Sequence, residues 1–364
     1  MITATRFALG AYVPARTLPW PDYSRLFVVG DELGWSIDDD RRRLVARAQR
    51  LGYDVAPGRW ARFARRQGVF LPNHFDALHE RWLSSSHRLG LSYFHGRPGT
   101  AGYPEFDRAY ETLRAHASRV DRVQVTHAEL EELVIAAGVD PAKVFRIPIG
   151  IDLERFPFGD AAARSASRAA LGVPESAFVI GSFQKDGVGF AAGLEPKLVK
   201  GPDVLVDVIA RLRAEIPELF VLLTGPARGY VRKELERLHV PHRHLQVADR
   251  GDLAGVYHAL DAYLVTSRQE GGPKSVLESM ATGVPLVTTR VGQSPELVSD
   301  RENGLLADVD DVDALTAAMR SVYADSQLRE RLRAAGRTTA EAYDEVRLDG
   351  RWAELFEGFV DRAD

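Results

Sequence analysis

Cysteine is absent from this chain of 364 residues. Disulfide bonds, thiolate metal ligands and cysteine nucleophiles are therefore excluded. No apolar run approaches the ~20 residues that a membrane-spanning helix needs, and the first residues lack the order of charge, apolar run and small-residue cleavage site of a signal peptide. We therefore expect a cytoplasmic protein. A net charge of -4 argues against a general nucleic-acid binder, which is usually basic, so no nucleic-acid partner is expected.

Hydrophobic residues make up 45% of the chain and charged residues 27%, the balance of an ordinary globular protein. Short apolar segments such as "RLFVVG", "VFLPN", "LGLSYFH" and "RVQVTH" alternate with helical patterns. In the last of these we expect Thr126 to cap the following helix and Gly138 to end it. After residues 150–160 the alternation restarts with "AFVIGSF", "LFVLLTG", "HLQVA", "AYLVTS", "PLVTT" and "GLLA". The pattern predicts an α/β protein with two doubly wound parallel sheets and a ligand cleft between them.

Positive charge is concentrated between Arg41 and Arg66, where nine arginines stand against one acid, Asp54. The apolar spacing predicts two short helices, "DDRRRLVARAQRLG" and "GRWARFARRQG". One interpretation is a pair of surface helices with solvated faces. The other is a basic face, edged by Trp60 and Phe63, that makes peripheral contact with an anionic membrane or binds the acceptor.

The stretch "RQEGGPKSVLESMATGVP" follows a predicted strand and has the features of an anion site. Pro273 suits the first position of a helix that ends at Gly283. The start of such a helix presents unpaired N–H groups and partial positive charge, and Gly271 and Gly272 let a ligand approach the backbone closely. Lys274 fits this interpretation, because a cation in the first helical turn is unfavourable unless an anion lies nearby.

Two carboxylates flank the predicted anion site. Glu278 lies about 7.5 Å along the helix from Pro273, at ~1.5 Å per residue, and can accept hydrogen bonds from a ribose attached to a diphosphate. Glu270 precedes the glycine turn and can meet the group on the other end of that diphosphate. This arrangement predicts a nucleoside diphosphate sugar as ligand.

The stretch from Glu270 to Thr289 resembles the signature of the family 4 retaining glycosyltransferases of the GT-B fold, in which two glutamates enclose seven residues. Three further segments are similar to family segments, and they are "RIPIGID", "LVKGPDVLVDVIARL" and "VGQSPELV". The resemblance implies an acceptor-binding Rossmann-like domain over residues 1–155, a nucleotide-sugar-binding domain over 156–342, and a C-terminal helix over 343–364 that packs back towards the first domain.

The resemblance also implies roles for particular residues. Glu270 would contact the donor sugar, and the backbone around Gly271 and Gly272 would bind sugar and diphosphate. Glu278 would bind the ribose, Lys200 would neutralise the leaving diphosphate, and His95 would lie close to the sugar. The chain departs from the family pattern at Ser182, where an arginine is usual, and the insert before "KG" is longer; Lys185, or else Lys197, would replace that arginine.

The implied reaction transfers a glycosyl group to a hydroxyl acceptor with retention of configuration, as a hexosyltransferase does, without a metal or other cofactor. The alternative is a catalytically silent nucleotide-sugar or partner-binding protein on the same fold. For His74 we favour a structural role. The cluster of His239, His242 and His244 lacks a carboxylate and does not predict a metal site, and "GVGFAAG" (187–193) predicts a ligand-facing loop rather than a dinucleotide fingerprint.

Overall fold

A computed structural model describes residues 20–30, 36–189, 191–247 and 250–363 of the chain. Within these residues the chain forms two six-stranded sheets, each flanked by helices. All strand pairs are parallel. The predicted α/β architecture with two doubly wound sheets is therefore confirmed.

The first sheet has the order β2-β1-β3-β4-β5-β6. Its strands are β1 (Leu26–Val28), β2 (Val55–Pro57), β3 (Gly68–Leu71), β4 (Arg88–Tyr93), β5 (Val120–Val125) and β6 (Val144–Arg146). The helices along this part of the chain are α1 (Ser36–Arg50), α2 (His74–Ala77), α3 (Glu80–Leu83), α4 (Pro104–Ala115) and α5 (Ala128–Ala136).

The second sheet has the order β12-β11-β10-β7-β8-β9. Its strands are β7 (Phe178–Phe183), β8 (Leu219–Thr224), β9 (His242–Leu245), β10 (Ala262–Val265), β11 (Leu286–Thr289) and β12 (Leu305–Ala307). The helices are α6 (Ala161–Leu171), α7 (Pro202–Arg213), α8 (Gly229–Arg237), α9 (Leu253–His258), α10 (Lys274–Thr282), α11 (Ser294–Leu297), α12 (Val312–Ala324), α13 (Ser326–Ala342) and α14 (Asp349–Phe356). None of the described helices has the length and apolar content needed to cross a membrane.

Burial explains why the apolar segments became strands. The inner strands β7, β8 and β10 read as nearly continuous apolar runs, because helices cover both faces of a parallel sheet. Val179, Ile180, Val221 and Leu222 are completely buried there. In the first sheet Phe27 and Val69 are equally buried.

The segment after α1 differs from the sequence-based prediction. The expected second helix, "GRWARFARRQG", is wrong: the chain forms the short edge strand β2 and then a 3-10 turn over Gly58–Phe63. A Cβ at Gly58 would meet the Val28 carbonyl oxygen at 2.7 Å, so the turn lies directly against β1. The tight contact fixes this turn where an amphipathic pattern suggested a helix.

The C-terminal helix α14 packs on the first sheet, as the family resemblance implied. Trp352, Leu355 and Phe356 share a buried cluster with strand β1 and helix α1. On the polar side of the same contact, Arg47 Nε donates to Asp349 at 2.8 Å. Arg43 and Arg50 also pair with carboxylates of this C-terminal segment, so much of the predicted basic face is neutralised within the fold.

Two chain segments connect the domains side by side. One follows β6 and contains Ile151, and the other follows α13 and contains Tyr343 and Glu345. The Ile151 N–H donates to the Tyr343 carbonyl at 3.0 Å, and the Glu345 N–H donates to the Ile151 carbonyl at 3.0 Å. The two connections are therefore joined by a short parallel bridge between Ile151 and Asp344.

Candidate active site

A cleft of about 430 Å³ lies between the two sheets, within the size range of small-molecule sites. Its walls come from the loops that follow strands β3, β4, β7 and β10, at the carboxyl ends where parallel sheets bind ligands. The predicted site residues that line it are His95, Lys200, Glu270, Gly271, Gly272, Pro273, Lys274 and Glu278. Gln184 also lines the cleft. Its neighbour Lys185, which was expected to replace the family arginine, is not among the described residues that line it.

Lys200 and Glu270 form an ion pair inside the cleft. The Nζ atom of Lys200 lies 2.6 Å from both carboxylate oxygens of Glu270, and Ser267 Oγ donates to the same carboxylate at 2.8 Å. Both side chains are largely buried. The residue expected to meet the sugar and the residue expected to meet the diphosphate therefore neutralise each other here.

Tight backbone contacts position this pair. Gly201 has a φ of 59°, and a Cβ there would clash with the Thr266 carbonyl oxygen. The Thr266 hydroxyl donates to the Gly201 carbonyl at 2.8 Å. The loop carrying Lys200 is thereby fastened to the loop after β10, which carries Glu270, and only glycine permits that approach.

Arg268 anchors the loop of Glu270 from outside the cleft. Its guanidinium donates to Asp203 at 2.8 and 2.6 Å and to Asp310 at 2.7 Å. Such forked pairs fix direction as well as distance. Donation of hydrogen bonds to the Asp203 carboxylate is the largest cause that raises the pKa of Arg268.

Contacts that the sequence did not indicate leave no room for a side chain at Gly271 and Gly272. A Cβ at Gly271 would clash with the Phe94 carbonyl oxygen of the first domain, and one at Gly272 would meet the Gln293 side chain at 2.8 Å. Gly271 therefore allows the domains to touch, and Gly272 leaves room for the Gln293 side chain of its own domain. Their predicted role in admitting a ligand stays a prediction.

Thr126 corrects a prediction at the same contact. The N-cap of α5 is His127, which makes no side-chain cap hydrogen bond. The Thr126 hydroxyl instead donates to the Gly271 carbonyl at 2.7 Å. A hydroxyl at the carboxyl end of β5 thus connects the first domain to the glycine turn, since that edge of the sheet faces the cleft.

Helix α10 begins with Lys274, so Pro273 is its N-cap rather than its first helical residue as predicted. The helix ends at Gly283, which has a φ of 77°, in agreement with the sequence. Lys274 forms an ion pair with Asp40 of α1 across the cleft. The anion that this lysine needs is therefore supplied, in this structure, by a carboxylate of the first domain.

Glu278 lies on the buried face of α10 and is 4% exposed. The Tyr257 hydroxyl donates to Glu278 Oε2 at 2.9 Å. Burial, then the neighbouring Tyr263 and the Glu278 carboxylate, raises the pKa of Tyr257 well above its ordinary value. Tyr257 therefore stays a hydrogen-bond donor that orients the carboxylate at the edge of the cleft.

The imidazoles of His74, which is buried, and His95, which is half-buried, lie at the first-domain wall. Burial, followed by the charge of Lys200, lowers the pKa of His95 to about 4. Burial also lowers the pKa of His74 well below its usual value. His74 stacks on Tyr93 with ring centroids 4.1 Å apart, and neither of its ring nitrogens has a hydrogen-bond partner among the described residues. Both rings are neutral near pH 7.

Ser182, which stands where the family usually has an arginine, is contacted by another arginine, Arg228. Arg228 is almost fully buried, donates to the Ser182 carbonyl and hydroxyl, and pairs with Asp186 at 2.9 Å. This arginine supports the loop that carries Lys185 and Lys197 rather than reaching the cleft. Lys197 instead lines a second chamber beside Lys200.

The remaining sequence signals have structural explanations. His242 and His244 contact backbone carbonyls, and within the described residues no group of three histidine or carboxylate side chains is placed to hold a metal ion. The described residues of "GVGFAAG" lie against the start of α8, where Gly229 N–H donates to the Ala192 carbonyl at 2.7 Å.

Sequence reasoning did not place Asp40 or Asn73 in the cleft, and His74, for which a structural role was expected, also lines it. Asn73 and His74 follow β3 directly, so their position at a strand's carboxyl end was a usable signal. Asp40 lies in a helix among many charges, and nothing in its local sequence points to a cleft.

Comparison with known proteins identifies the family. Residues 184–339 match the family described as "Glycosyl transferases group 1". A D-inositol 3-phosphate glycosyltransferase of Stackebrandtia nassauensis is 32% identical over 295 residues, which are 72% of this chain and 63% of the relative. D-inositol 3-phosphate glycosyltransferase 2 of Catenulispora acidiphila is 30% identical over 77% of this chain and 71% of the relative. The chain spans about three fifths of the length of the first of these.

The fold has solved counterparts. The crystal structure of Anabaena Alr3699/HepE in complex with UDP-glucose superposes with a TM-score of 0.70 at 18% identity and covers 92% of this chain and 99% of that one. At this identity the match concerns the fold alone. From the sequence relatives and the family match together, this chain belongs to the group 1 glycosyl transferases, the family 4 retaining enzymes of the GT-B fold.

Proposed function

We propose that this protein transfers a glycosyl group from a nucleoside diphosphate sugar to a hydroxyl acceptor, with retention of configuration. The observation that carries the proposal is the Lys200–Glu270 ion pair, which shares one cleft with the start of α10 and the buried Glu278. Positive charge for a diphosphate and carboxylates for hydroxyls on either side of it match the two halves of such a donor.

The ion pair suggests how donor binding prepares the site. A diphosphate entering beside Lys200 competes for its ammonium, which then moves from Glu270 to the anion. Glu270 is released to accept hydrogen bonds from the donor sugar. One exchange of partners therefore prepares both the leaving group and the sugar, without leaving a buried charge unpaired.

In the transfer step the acceptor oxygen forms a bond to the anomeric carbon while the bond from that carbon to the diphosphate breaks. The acceptor proton passes to the departing diphosphate, so the products are a glycoside and a nucleoside diphosphate. Lys200 and the N–H groups at the start of α10 stabilise the negative charge that develops on the diphosphate. Neutral His95 borders the sugar and, being uncharged, does not compete with the sugar hydroxyls for the Glu270 carboxylate.

We propose a donor of the UDP-sugar kind and an acceptor of the polyol or sugar phosphate kind. The first rests on the fold that this chain shares with a protein solved in complex with UDP-glucose. The second rests on relatives that are named for D-inositol 3-phosphate. We further propose that the reaction needs no metal, because a lysine and a helix N-terminus supply positive charge at the diphosphate.

Peripheral membrane contact is proposed for a smaller surface than the whole Arg41 to Arg66 segment, on a protein that otherwise works in the cytoplasm. Trp60 is 42% exposed and Phe63 is 43% exposed. The guanidinium of Arg59 lies 5.8 Å from the Trp60 ring, and that of Arg62 lies 4.6 Å from the Phe63 ring. Aromatic side chains with attached cations suit an anionic lipid surface. Flotation with phosphatidylglycerol vesicles should be lost in a Trp60→Ser, Phe63→Ser variant.

The main experiment screens UDP-, GDP-, dTDP- and ADP-sugars by thermal shift and then measures donor hydrolysis and transfer. A matching donor should raise the melting temperature, since a ligand of the folded state stabilises by mass action. It should also release nucleoside diphosphate with or without EDTA. Binding without hydrolysis or transfer to any acceptor would favour a silent nucleotide-sugar-binding protein. Loss of activity in EDTA with recovery in Mg²⁺ would contradict the metal-independent mechanism.

A further inference from the structure

A second chamber of about 420 Å³ adjoins the donor cleft. The two spaces share Phe75, His95 and Lys200. A molecule in the chamber therefore lies next to the Lys200–Glu270 pair, on the side away from Glu278. This is the position from which an acceptor hydroxyl can reach a donor sugar held at Glu270.

Aromatic rings form one wall of the chamber. Phe106 stacks on Tyr103 with centroids 5.2 Å apart and an interplanar angle of 13°, and on Phe75 with centroids 6.1 Å apart and an angle of 27°. His95 lies 5.5 Å from the Phe106 ring. Such a wall offers flat apolar contact to the C–H face of a ring-shaped polyol.

Another wall comes from the long insert between β7 and α7, which departs from the family pattern. Lys197 and Val199 of this insert line the chamber. The Lys197 N–H donates to the Asp186 carbonyl at 2.7 Å, and Asp186 is itself paired with buried Arg228. The insert is thus held in place by its own buried contacts.

Lys197 carries a charge that the protein leaves unmatched. Its side chain is half-buried, and within the described residues its ammonium has neither an ion-pair nor a hydrogen-bond partner. Burial, followed by the charge of Lys200, lowers the pKa of Lys197. The carboxylates of Glu270 and of Glu105, a residue of α4, act on Lys197 in the opposite sense, but neither of them forms an ion pair with it. An ammonium group without an ion-pair partner, next to a second lysine, attracts an anionic ligand.

We propose that this chamber is the acceptor subsite and that Lys197 binds an anionic group, a phosphate or a carboxylate, on a hydroxylated acceptor whose ring packs on the half-buried Phe75 and Tyr103. The proposal rests on the proposed glycosyl transfer. It adds that selectivity for an anionic acceptor comes from a lysine of the second domain's insert.

The experiment measures binding of matched probes to the protein saturated with UDP, so that the donor's phosphate positions are filled. The pairs are D-inositol 3-phosphate with inositol, glucose 6-phosphate with glucose, and glucuronate with glucose. We expect at least one anionic probe to bind roughly 10- to 100-fold more tightly than its neutral partner, as a charge-assisted contact implies. Lys197→Met should bring that ratio close to one, and Lys197→Arg should restore it.

Lys233→Met is the matched control, because Lys233 is an exposed lysine of α8 outside both spaces. Its ratio should equal that of the wild type. Equal binding of all anionic and neutral probes by the wild type would overturn the proposal. It would also be overturned if Lys197→Met lowered the affinity for UDP but left the ratio of anionic to neutral probe affinity unchanged. The latter result would assign Lys197 to the donor diphosphate. Failure of the wild type to bind any nucleotide sugar would instead overturn the proposed function.

Discussion

The ammonium of Lys200 lies 2.6 Å from both oxygens of the Glu270 carboxylate. The two side chains come from neighbouring loops of the second domain, one before α7 and one after β10. Their charges cancel each other in the cleft, so neither is buried as an isolated ion. A donor that separates them must provide partners for both.

Replacing Lys200 by Met removes the cation from the leaving group. We expect turnover to fall by about 100- to 1000-fold, similar to the loss of one preorganised group that stabilises developing charge. Glu270→Gln should lower turnover as well. Its effect on UDP affinity should be weaker than that of Lys200→Met, because Glu270 is expected to contact the sugar. Steady-state kinetics and UDP titration measure the two effects. Near wild-type turnover in both variants would refute the site.

The ion pair of Lys274 with Asp40 should oppose donor binding, because the same lysine lies at the start of α10. Asp40→Asn frees Lys274, and we expect UDP to bind about two- to fivefold more tightly, the range of an exposed to half-buried ion pair. Lys274→Met should weaken UDP binding. In the double variant the Asp40 effect should vanish. Weaker UDP binding in Asp40→Asn alone would mean that Asp40 itself contacts the ligand.

Gly271→Ala tests the contact between the domains. The new methyl group would clash with the Phe94 carbonyl oxygen, so the cleft must open. We expect the Michaelis constant for the donor to rise by about tenfold or more, as misplacement of positioning groups does. Gly255→Ala in α9 is the control, since its Cβ would meet no atom within 4 Å. That variant should keep its kinetics and gain up to about 1 kcal/mol of stability.

Acid should destabilise this protein through His74 and His95. Burial lowers the pKa of both, that of His95 to about 4, whereas an unfolded histidine titrates near 6.5. Between these values the unfolded chain binds more protons, so the free energy of unfolding falls as the pH falls from about 6.5 towards 4. The contribution is fully present above pH 6.5.

His74→Phe keeps the stack on Tyr93 and removes one titrating group. Urea unfolding at pH 7 and pH 5 should show a smaller loss of stability for this variant than for the wild type. Tyr93→Phe is the control, because burial raises the pKa of Tyr93 out of this range, and its loss should match that of the wild type. An unchanged acid loss in His74→Phe would show that the pKa of His74 is the same in the folded and unfolded states, against the lowered pKa that burial implies.

The architecture could be predicted from the sequence because a buried parallel strand consists of a continuous run of apolar residues, as in β8. Of the predicted site residues, all except Lys185 line the cleft, because the glycine turn and α10 come after β10 at the carboxyl edge of the sheet. The sequence did not predict why a side chain is excluded at Gly271 or which group accepts the hydrogen bond of the Thr126 hydroxyl. Both depend on contacts across more than a hundred residues of chain, with Phe94 and with the glycine turn itself.

The same limit explains the error at Gly58–Phe63. Helical spacing of Trp60 and Phe63 is a local signal, whereas the contact of Gly58 with the Val28 carbonyl is not. Asp40 was missed because its partner, Lys274, lies on the other domain. Ion pairs between distant elements leave no pattern in either segment.

The parallel bridge between Ile151 and Asp344 also determines how the cleft can move. The domains are joined at two adjacent points that are hydrogen-bonded to each other, so the pair acts as one axis rather than as two independent tethers. Opening and closing then become rotation about that axis, while twisting and sliding would break the bridge. The wall that carries Glu270 should therefore meet Phe94 and His95 in the same register each time the domains close.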